Sequence, residues 1–328
     1  MTQRLVSTHF SMPRTLHLPH SADLHLFQAH DVFPSGLQGR VLAIGNFDGV
    51  HLGHASVVAL TAQLALHLKA QPGVLTFEPH PRSFFQPDRP VFRLSDAELK
   101  AARLRELGVD GMLALSFNAS LAAMPAEAFL DDLLIRRLRV AGLVVGEDFR
   151  FGQRRTGNLD LLRSRLGERV VVAPPFALDG EIVSSSKIRQ ALENGDVAQA
   201  TKLLGRPWRL CGEVRHGDKR GRELGFPTAN MWLADDCRLA HGIYAVRMRI
   251  DGIWRDGVAS YGRRPTFDNG APRIETFLFD FSGDLYGRIV DLDLIAWIRP
   301  ELKFDGLEPL IAQMQLDSAK ARQLLGGP

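Results

Sequence analysis

The feature that most constrains the fold of this 328-residue chain is a change in hydrophobic periodicity near Gly205. Before that point, short and continuously apolar runs alternate with stretches in which apolar residues recur at helical spacing. Continuous apolar strands separated by helices favour a parallel sheet that is covered on both faces. After that point, apolar and polar residues alternate with a period of two, which is typical of antiparallel strands with one buried face. We therefore predict two domains of different fold class.

The first domain, residues 26–205, is predicted to be an α/β domain with a doubly wound parallel sheet, and residues 1–25 are expected to be loosely ordered. The predicted buried strands are Val41–Ile44, Val74–Phe77, Met112–Leu115, Leu143–Val145 and Arg169–Val172. The predicted helices are one that carries Val57 to Leu68 and those at Asp96–Leu107, Pro125–Leu138, Leu159–Leu166 and Val197–Leu204. Because open parallel sheets bind ligands at the carboxyl ends of their strands, binding motifs are expected directly after the strands.

The second domain, residues 206–328, is predicted to be a small antiparallel β-barrel with terminal helices. Its strands are predicted at Tyr244–Ile250, Ile253–Tyr261, Ile274–Asp280 and Val290–Ile298, and helical sequence follows at Leu307–Leu325. Asp251-Gly252 is typical of a hairpin turn. Gly205 and Pro207 end the preceding helix, so the boundary is placed there.

Composition excludes several classes of protein. The 40 basic residues are nearly balanced by 37 acidic ones, so the net charge of +3 does not indicate a nucleic-acid partner. Basic residues cluster in Arg150–Arg155 and Arg215–Arg222, which fits small anions such as phosphates. Cys211 and Cys237 form no C-x-x-C motif, which suits a reducing compartment. No apolar run reaches the ~18 residues of a membrane span, and we expect no membrane partner and a cytoplasmic protein.

The first candidate site is the segment VLAIGNFDGVHLGH, residues 41–54. A strand, a Gly-rich turn and a helix start follow one another, so unpaired N–H groups at the helix start can bind nucleotide phosphates. His51 and His54 are three residues apart and can face the same way, where imidazoles can neutralise charge on a leaving pyrophosphate. An H-x-x-H pair alone is more often two surface histidines. The predicted phosphate-binding residues of this turn are Gly45, Asn46, Phe47, Asp48 and Gly53.

A second phosphate-binding element is predicted at VSSSKIR, residues 183–189. Ser185 and Ser186 lie at a helix start, where hydroxyls cap the helix, and Arg189 can reach a phosphate as a bidentate donor. Together the two segments resemble the adenylyl- and cytidylyltransferase superfamily. The resemblance implies a fold of the nucleotidyltransferase type in which the two histidines bind ATP phosphates and act with Arg189 in catalysis.

Two further loops indicate which class of ligand the first domain binds. One is Thr76–Pro81, and the other begins at Val145. Phe149 and Phe151 could flank an aromatic ring system, or pack in the core, while Asp148 or Asn158 could read its polar edge. The region from Leu42 to Leu204 resembles the FMN adenylyltransferase half of the prokaryotic bifunctional riboflavin kinase/FAD synthetase. That resemblance implies a Rossmann-like fold and attack of the FMN phosphate on ATP.

The second candidate site lies in GEVRHGDKRGRELGFPTAN, residues 212–230. The sequence contains no Gly-Lys pair and so no Walker loop. Gly221 and Arg222 belong to a flexible basic loop that can contact phosphates. Thr228 and Asn230 point the same way on an extended segment, and their oxygens can serve a Mg²⁺ carried by a nucleotide.

Glu275 is the candidate base of the second site, since a strand carboxylate could accept the proton of a substrate hydroxyl. Without context, it is more often an exposed strand residue. The region from Pro207 to Leu325 resembles riboflavin kinase, which implies that Thr228 and Asn230 bind Mg²⁺–nucleotide and that Glu275 is the catalytic base. The chain departs from many relatives at Ser260-Tyr261, where they have Asn-Ile, and at Phe277, where they have His.

The predicted enzyme therefore uses ATP and Mg²⁺ to convert riboflavin to FMN and FMN to FAD. Three alternatives are weighed against it. A nucleotidyltransferase for pantetheine phosphate or a phosphoalcohol would share the first motif but not the second domain. A protein with one working module would retain the other as a scaffold. A nucleic-acid-binding protein would use the basic loops.

Overall fold

The computed structural model describes residues 26–217, 226–263 and 272–326. The expectation for residues 1–25 lies outside this part of the chain. The described residues form two six-stranded sheets and one two-stranded hairpin. No helix among them is long and apolar enough to cross a membrane.

The first sheet is parallel, and its strands lie in the order β1-β4-β3-β2-β5-β6. The strands are β1 Leu26–Phe27, β2 Val41–Ile44, β3 Pro72–Glu78, β4 Gly111–Ser116, β5 Gly142–Gly146 and β6 Val170–Ala173. From β2 the chain builds β3 and β4 on one side, then returns to build β5 and β6 on the other. The strand order therefore reverses between β2 and β5, which is where sheets of this type bind ligands.

Helices cover both faces of this sheet. They are α1 Leu52–His67, α2 Pro81–Phe85, α3 Ala97–Glu106, α4 Ala119–Ala122, a π-type helix Ala128–Arg137, α5 Leu159–Leu166, α6 Ser185–Glu193 and α7 Val197–Leu204. On β2, Leu42 belongs to the apolar cluster of the π-type helix, and its neighbour Val41 belongs to the cluster that contains Ala65 of α1. Alternate side chains of one strand thus enter two different cores, and the predicted doubly wound sheet is confirmed.

The second sheet is antiparallel, in the order β10-β13-β12-β11-β14-β9. Its strands are β9 Trp208–Glu213, β10 Thr228–Trp232, β11 Gly242–Ile250, β12 Ile253–Arg263, β13 Pro272–Leu278 and β14 Ile289–Arg299, and the two-stranded hairpin is β7 Ala177–Leu178 and β8 Glu181–Ile182. Beyond β9, the Arg215 N–H donates to the Asn230 carbonyl at 2.9 Å, which brings the two edges of the sheet together. Helix α8, Leu307–Leu325, packs Ala321 and Leu325 against this sheet. The predicted antiparallel, barrel-like domain is confirmed.

The two halves of the chain share one apolar cluster. Phe92, Leu94 and Leu192 from the first half of the chain pack in the same cluster as Trp208 and Tyr244 from the second half. The Trp208 indole N–H also donates to the Leu94 carbonyl at 2.8 Å. The halves are therefore packed together rather than only linked by the chain.

Candidate active sites

The turn after β2 has a strained backbone. Phe47 and Val50 have φ of 49° and 42°, in the left-handed region, and Gly49 between them has φ of 80°. A β-branched residue such as Val50 is seldom found there, and each such non-glycine residue costs about 1–3 kcal/mol. Strain of this size persists only where surrounding contacts hold it, and it is concentrated at functional sites.

The two histidines of this turn lie face to face. Helix α1 begins at Leu52, with His51 as its N-cap, and the Nδ1 of His51 accepts the backbone N–H of His54 at 3.3 Å. The imidazole rings stack with centroids 3.6 Å apart. Gly53 leaves room for this arrangement, because a Cβ there would lie 3.1 Å from the His51 ring. Both imidazoles therefore point to one side of the turn, as their spacing predicts.

Burial keeps both imidazoles neutral in the unliganded protein. It lowers the pKa of His51 to about 4, and Arg206 and Arg189 lower it further. Burial also lowers the pKa of His54 well below its ordinary value, and neighbouring His51 adds to that effect. Among the described residues, the buried Nδ1 of His54 has no hydrogen-bond partner. An arriving polyphosphate would favour protonation of both rings, since a nearby opposite charge stabilises the charged form.

Asp48 anchors the turn. Its buried carboxylate accepts the backbone N–H groups of Leu94 at 2.9 Å and Ser95 at 3.1 Å, and it pairs with Nη2 of Arg189 at 2.5 Å. The Nε of Arg189 donates to the Phe92 carbonyl at 2.6 Å. Two residues that were each predicted to handle phosphate thus bind one another, and two donors of Arg189 are engaged inside the protein.

The remaining predicted phosphate-binding residues of the turn have distinct positions. Gly45 and Asn46 are half-buried directly after β2, and the Asn46 carbonyl accepts the hydroxyl of Thr76 at 3.0 Å. The Phe47 side chain is fully buried and contacts the His54 ring at 5.0 Å between centroids. Phe47 can therefore offer a ligand only its backbone.

The serine segment lies against this turn. Ser184 is the N-cap of α6, and the hydroxyl of Ser185 donates to the Asp48 carbonyl at 2.9 Å. Ser186 is exposed in the first turn of α6. The structure thus brings together the two segments that were predicted to form one phosphate site.

Sequence reasoning missed a buried cation beside this site. The Nζ of Lys100, on α3, pairs with Glu78 at 2.6 Å and lies 3.4 Å from the Thr76 hydroxyl. Lys100 is only 3% exposed, and its charge contributes to the lowered pKa of His54. The loop after β3 adds His80, whose pKa is lowered to about 4 by burial. His80 could have been predicted as a site residue, because it lies directly after a strand. Lys100 could not, because a lysine on an amphipathic helix is ordinarily solvent-exposed.

The predicted flavin-binding residues follow β5, next to β2. Phe149 is half-buried and stacks on Phe151 with centroids 5.6 Å apart, while Phe151 is buried and contacts Phe129. Asp148 is exposed, and Asn158 is the N-cap of α5. Asp148, Phe149 and Asn158 are therefore the accessible members of this set, and Phe151 is not.

A second aromatic group, which was not predicted, lies after β3 and β4. Phe84 and Phe85 contact Phe117 edge-on, with centroids 5.4 and 5.7 Å apart. Phe85 is 64% exposed, so this group offers a large apolar surface on the carboxyl side of the sheet.

The second site is set by strand pairing. Asn230 of β10 lies directly opposite Glu275 of β13, so both side chains project to the same face. Thr228 lies two residues before Asn230 and projects to that face as well. The Oδ1 of Asn230 is buried and has no partner among the described residues. Glu275 pairs with Nη2 of Arg273 at 3.0 Å. Gly221 and Arg222 lie outside the described residues.

A cavity of about 300 Å³ lies beside these strands and is lined in part by Thr228 and Asn230. Gly217 also lines it, and a Cβ there would lie 2.5 Å from Nδ2 of Asn230, so a side chain at this position would displace the Asn230 amide. At the same cavity, Tyr286 contacts the His216 ring with centroids 3.7 Å apart. The volume is at the lower end of the range of small-molecule sites.

Two family models match the chain. The model described as FAD synthetase matches residues 34–187, and the one described as riboflavin kinase matches residues 204–325. A solved structure described as a macrolide-efflux protein from Streptococcus pneumoniae has a TM-score of 0.79 and 30% identity, and it covers 90% of this chain and 97% of its own. The overall architecture is therefore shared by a solved structure.

Three relatives are named bifunctional riboflavin kinase/FMN adenylyltransferase. The Haemophilus influenzae protein is 39% identical and covers 87% of this chain and 94% of its own length. The Pseudomonas fluorescens protein is 42% identical, with 88% and 93% covered. The Escherichia coli K12 protein is 38% identical, with 90% and 96% covered. On this identity and coverage, the chain belongs to the family of bifunctional riboflavin kinase/FMN adenylyltransferases.

Proposed function

We propose that this enzyme phosphorylates riboflavin to FMN and then adenylylates FMN to FAD with release of pyrophosphate. The observation that carries the proposal is that one chain combines two different folds, each of which groups residues predicted to handle phosphates. Residues 26–205 are assigned to adenylyl transfer and residues 206–328 to riboflavin phosphorylation. ATP is the co-substrate of both steps.

In the adenylyl transfer, the FMN phosphate attacks the α-phosphorus of ATP and pyrophosphate leaves. The charge that builds on the leaving group is taken up by the N–H groups at the start of α1 and by the paired imidazoles of His51 and His54. Ser185, Ser186 and Arg189 contact the polyphosphate from α6. Positioning and charge neutralisation suffice, so no side-chain nucleophile is needed.

The flavin of the first site is assigned to the loop after β5. Phe149 stacks on the ring system, with Phe151 behind it, while Asp148 and Asn158 read its polar edge. The position of this loop supports the assignment, since β5 flanks the point where the strand order reverses.

In the phosphorylation, Glu275 accepts the proton of the riboflavin hydroxyl that attacks the γ-phosphorus of ATP, and ADP leaves as the bond from that phosphorus to the bridging oxygen breaks. A threonine hydroxyl and an amide oxygen are hard donors that suit Mg²⁺, and the buried Oδ1 of Asn230, which has no partner among the described residues, fits such a role. Thr228 and Asn230 would therefore hold a nucleotide-bound Mg²⁺, which neutralises phosphate charge when bound. Gly221 and Arg222 are assigned to the nucleotide phosphates.

We assign the enzyme to the cytoplasm because of the state of its two cysteines. Cys211 and Cys237 are not joined in a disulfide. Burial raises the pKa of Cys211 to about 12, which makes this thiol unreactive. Cysteines that form no disulfide suit a reducing compartment.

The test is to incubate the protein with riboflavin, ATP and Mg²⁺ and to separate the flavins over time. FMN is expected first and FAD later, and FMN with ATP should give FAD and pyrophosphate. A chelator should stop phosphorylation. Pantetheine phosphate in place of FMN should not be adenylylated. Unchanged riboflavin together with unchanged FMN would refute the proposal.

A further inference from the structure

The domain junction, residues 205–208, contacts the histidine turn directly. Nη2 of Arg206 donates to the Gly49 carbonyl at 2.7 Å, and Nη1 donates to the Val50 carbonyl at 3.1 Å. Nη1 also donates to the Leu204 carbonyl at 3.1 Å. One side chain of the junction thus joins the end of α7 to the turn that precedes His51.

The two carbonyls bonded by Arg206 flank the most strained residue of the turn. Val50 has φ of 42°, and the Gly49 carbonyl precedes it while its own carbonyl follows it. A guanidinium group presents its donors in a rigid planar fork, and hydrogen bonds from a charged donor are stronger than neutral ones. Arg206 therefore holds Val50 from both sides in a conformation that the residue would not adopt alone.

Two further junction residues support the same region. The Trp208 indole bonds the Leu94 carbonyl at 2.8 Å, and the Leu94 N–H in turn holds the Asp48 carboxylate. A Cβ on Gly205 would lie 2.6 Å from Cδ2 of Leu52, the first residue of α1. The junction therefore contacts both the turn and the first residue of the helix that carries His54.

From these contacts we propose that Arg206 is a positioning residue for adenylyl transfer, so that the start of the second domain completes the first site. The inference deepens the proposed function and rests on it for the activity readout. Loss of the Arg206 hydrogen bonds is expected to move His51 and His54 without unfolding either domain.

The charge of Arg206 supplies a readout that a merely structural residue would not affect. Burial lowers the pKa of Arg206 to about 9, which leaves the guanidinium charged at neutral pH. Arg206 and Arg189 are the cations that lower the pKa of His51, and Lys100 joins them at His54. Removal of the Arg206 charge should therefore raise the pKa of His51, whereas a lysine at that position should keep it low.

The experiment compares Arg206→Gln, Arg206→Lys and the control Arg238→Gln with the wild type. Arg238 pairs with Glu193 across the two halves at 2.8 Å but is 53% exposed, and its guanidinium donates to Glu193 rather than to the turn. Each protein is assayed separately for FAD formation from FMN and for FMN formation from riboflavin. The His51 ring is titrated by NMR on histidine-labelled protein, with His51→Gln to assign its signal.

Arg206→Gln is expected to lower kcat of FAD formation by about 100-fold, the cost of a misplacement of about 1 Å, while riboflavin phosphorylation stays within about twofold. The His51 pKa should rise in this variant. Arg206→Lys should recover FAD formation to within about tenfold of the wild type. Arg238→Gln should match the wild type in all three measurements.

FAD formation within about threefold of the wild type in Arg206→Gln, or an unchanged His51 titration, would overturn the inference. The inference would also be overturned if Arg206→Gln and Arg206→Lys lost FAD formation and riboflavin phosphorylation equally, because Arg206 would then only stabilise the fold. Wild-type protein that makes no FAD would refute the proposed function instead, and the His51 titration would then decide the role of Arg206.

Discussion

The two sites differ in how far apart in sequence their parts lie. The histidine turn is held by Arg189, which is 141 residues from its partner Asp48, and by Arg206, which is 157 residues from its partner Gly49. The second site places Asn230 and Glu275 opposite one another on neighbouring strands, within one sheet. The first site is therefore assembled by tertiary packing, and the second is set by strand register.

This difference has consequences for how each site can be damaged. A strand register is specified by the whole alternating pattern of a sheet, so one substitution on its surface leaves the register intact. The histidine turn is strained and is held by a few long-range contacts, so the loss of one contact can displace it. Substitutions at the second site should act locally, whereas distant substitutions should affect the first site.

The largest expected effect is that of Glu275→Gln on the second site. Removal of the proposed general base should slow riboflavin phosphorylation by about 1,000-fold, or about 4 kcal/mol in activation free energy. FAD formation from supplied FMN should be unchanged, because the strand register holds without the carboxylate. Initial rates of both reactions check this, with the exposed Glu308→Gln as control. A loss of both reactions in Glu275→Gln would contradict the local character of this site.

Asp48→Asn should give the next largest effect, on stability. It leaves the half-buried Arg189 without its counter-ion and should lower the free energy of unfolding by about 3 kcal/mol. FAD formation should also fall more than riboflavin phosphorylation. Denaturant titration measures the first effect. The matched control is Asp280→Asn, at an exposed ion pair with Arg322, where no resolvable change is expected. Equal stability of the two variants would show that the Asp48 network does not anchor the turn.

The sequence predicts those parts of the molecule that depend on local periodicity. Val41–Ile44 and Leu159–Leu166 have the predicted bounds, because a buried strand and an amphipathic helix each have a pattern of their own. The stacking of His51 on His54 and the shared face of Thr228 and Asn230 likewise follow from spacing on one element.

The parts that could not be predicted depend on which distant segments meet. Lys100 looks like an ordinary helix lysine, and its burial against Glu78 depends on how α3 packs over β3. In the sequence, Arg206 is an ordinary arginine of a linker, and only the fold brings its guanidinium to the Gly49 carbonyl. The pairing of Asp48 with Arg189 could not be predicted either, because each residue is predicted to contact a phosphate.

His54→Gln tests the first site without breaking a long-range contact. It removes a protonatable group from the proposed pyrophosphate site and should lower kcat of FAD formation by about 100-fold. Riboflavin phosphorylation should be unaffected. His67→Gln, at the exposed end of the same helix, is the control. If His54→Gln retained full FAD formation, the imidazole pair would not be the charge-neutralising group.

The stability of the first domain should depend on pH through His51. Its pKa is about 4 in the folded protein and about 6.5 when unfolded, so the unfolded state binds more protons between these values. The stabilisation is complete above pH 6.5 and is lost as the pH falls towards 4. Between pH 7 and pH 5, His51 should contribute a loss on the order of 2 kcal/mol. Denaturant titration of wild type and His51→Gln at both pH values should show a smaller loss in the variant, and equal losses would contradict the neutral, buried imidazole.

The smallest effect is expected at the exposed ion pairs between the two halves. Arg93 pairs with Asp236 and Arg238 with Glu193, and the two arginines are 43% and 53% exposed. Exposed pairs contribute about 0.2–1 kcal/mol, so Arg93→Gln and Arg238→Gln should each lower the unfolding free energy by less than about 1 kcal/mol.

The double variant Arg93→Gln/Arg238→Gln tests what couples the two halves of the chain during unfolding. The apolar cluster around Trp208 joins both halves, so the double variant should still unfold in one cooperative transition, with circular dichroism and tryptophan fluorescence in agreement. Two separate transitions in the double variant, against one in the wild type, would mean that surface charge rather than the shared core couples the domains. The contacts of Arg206 with the histidine turn would then be too weakly supported to position it, because the junction could not be held rigidly against the first domain.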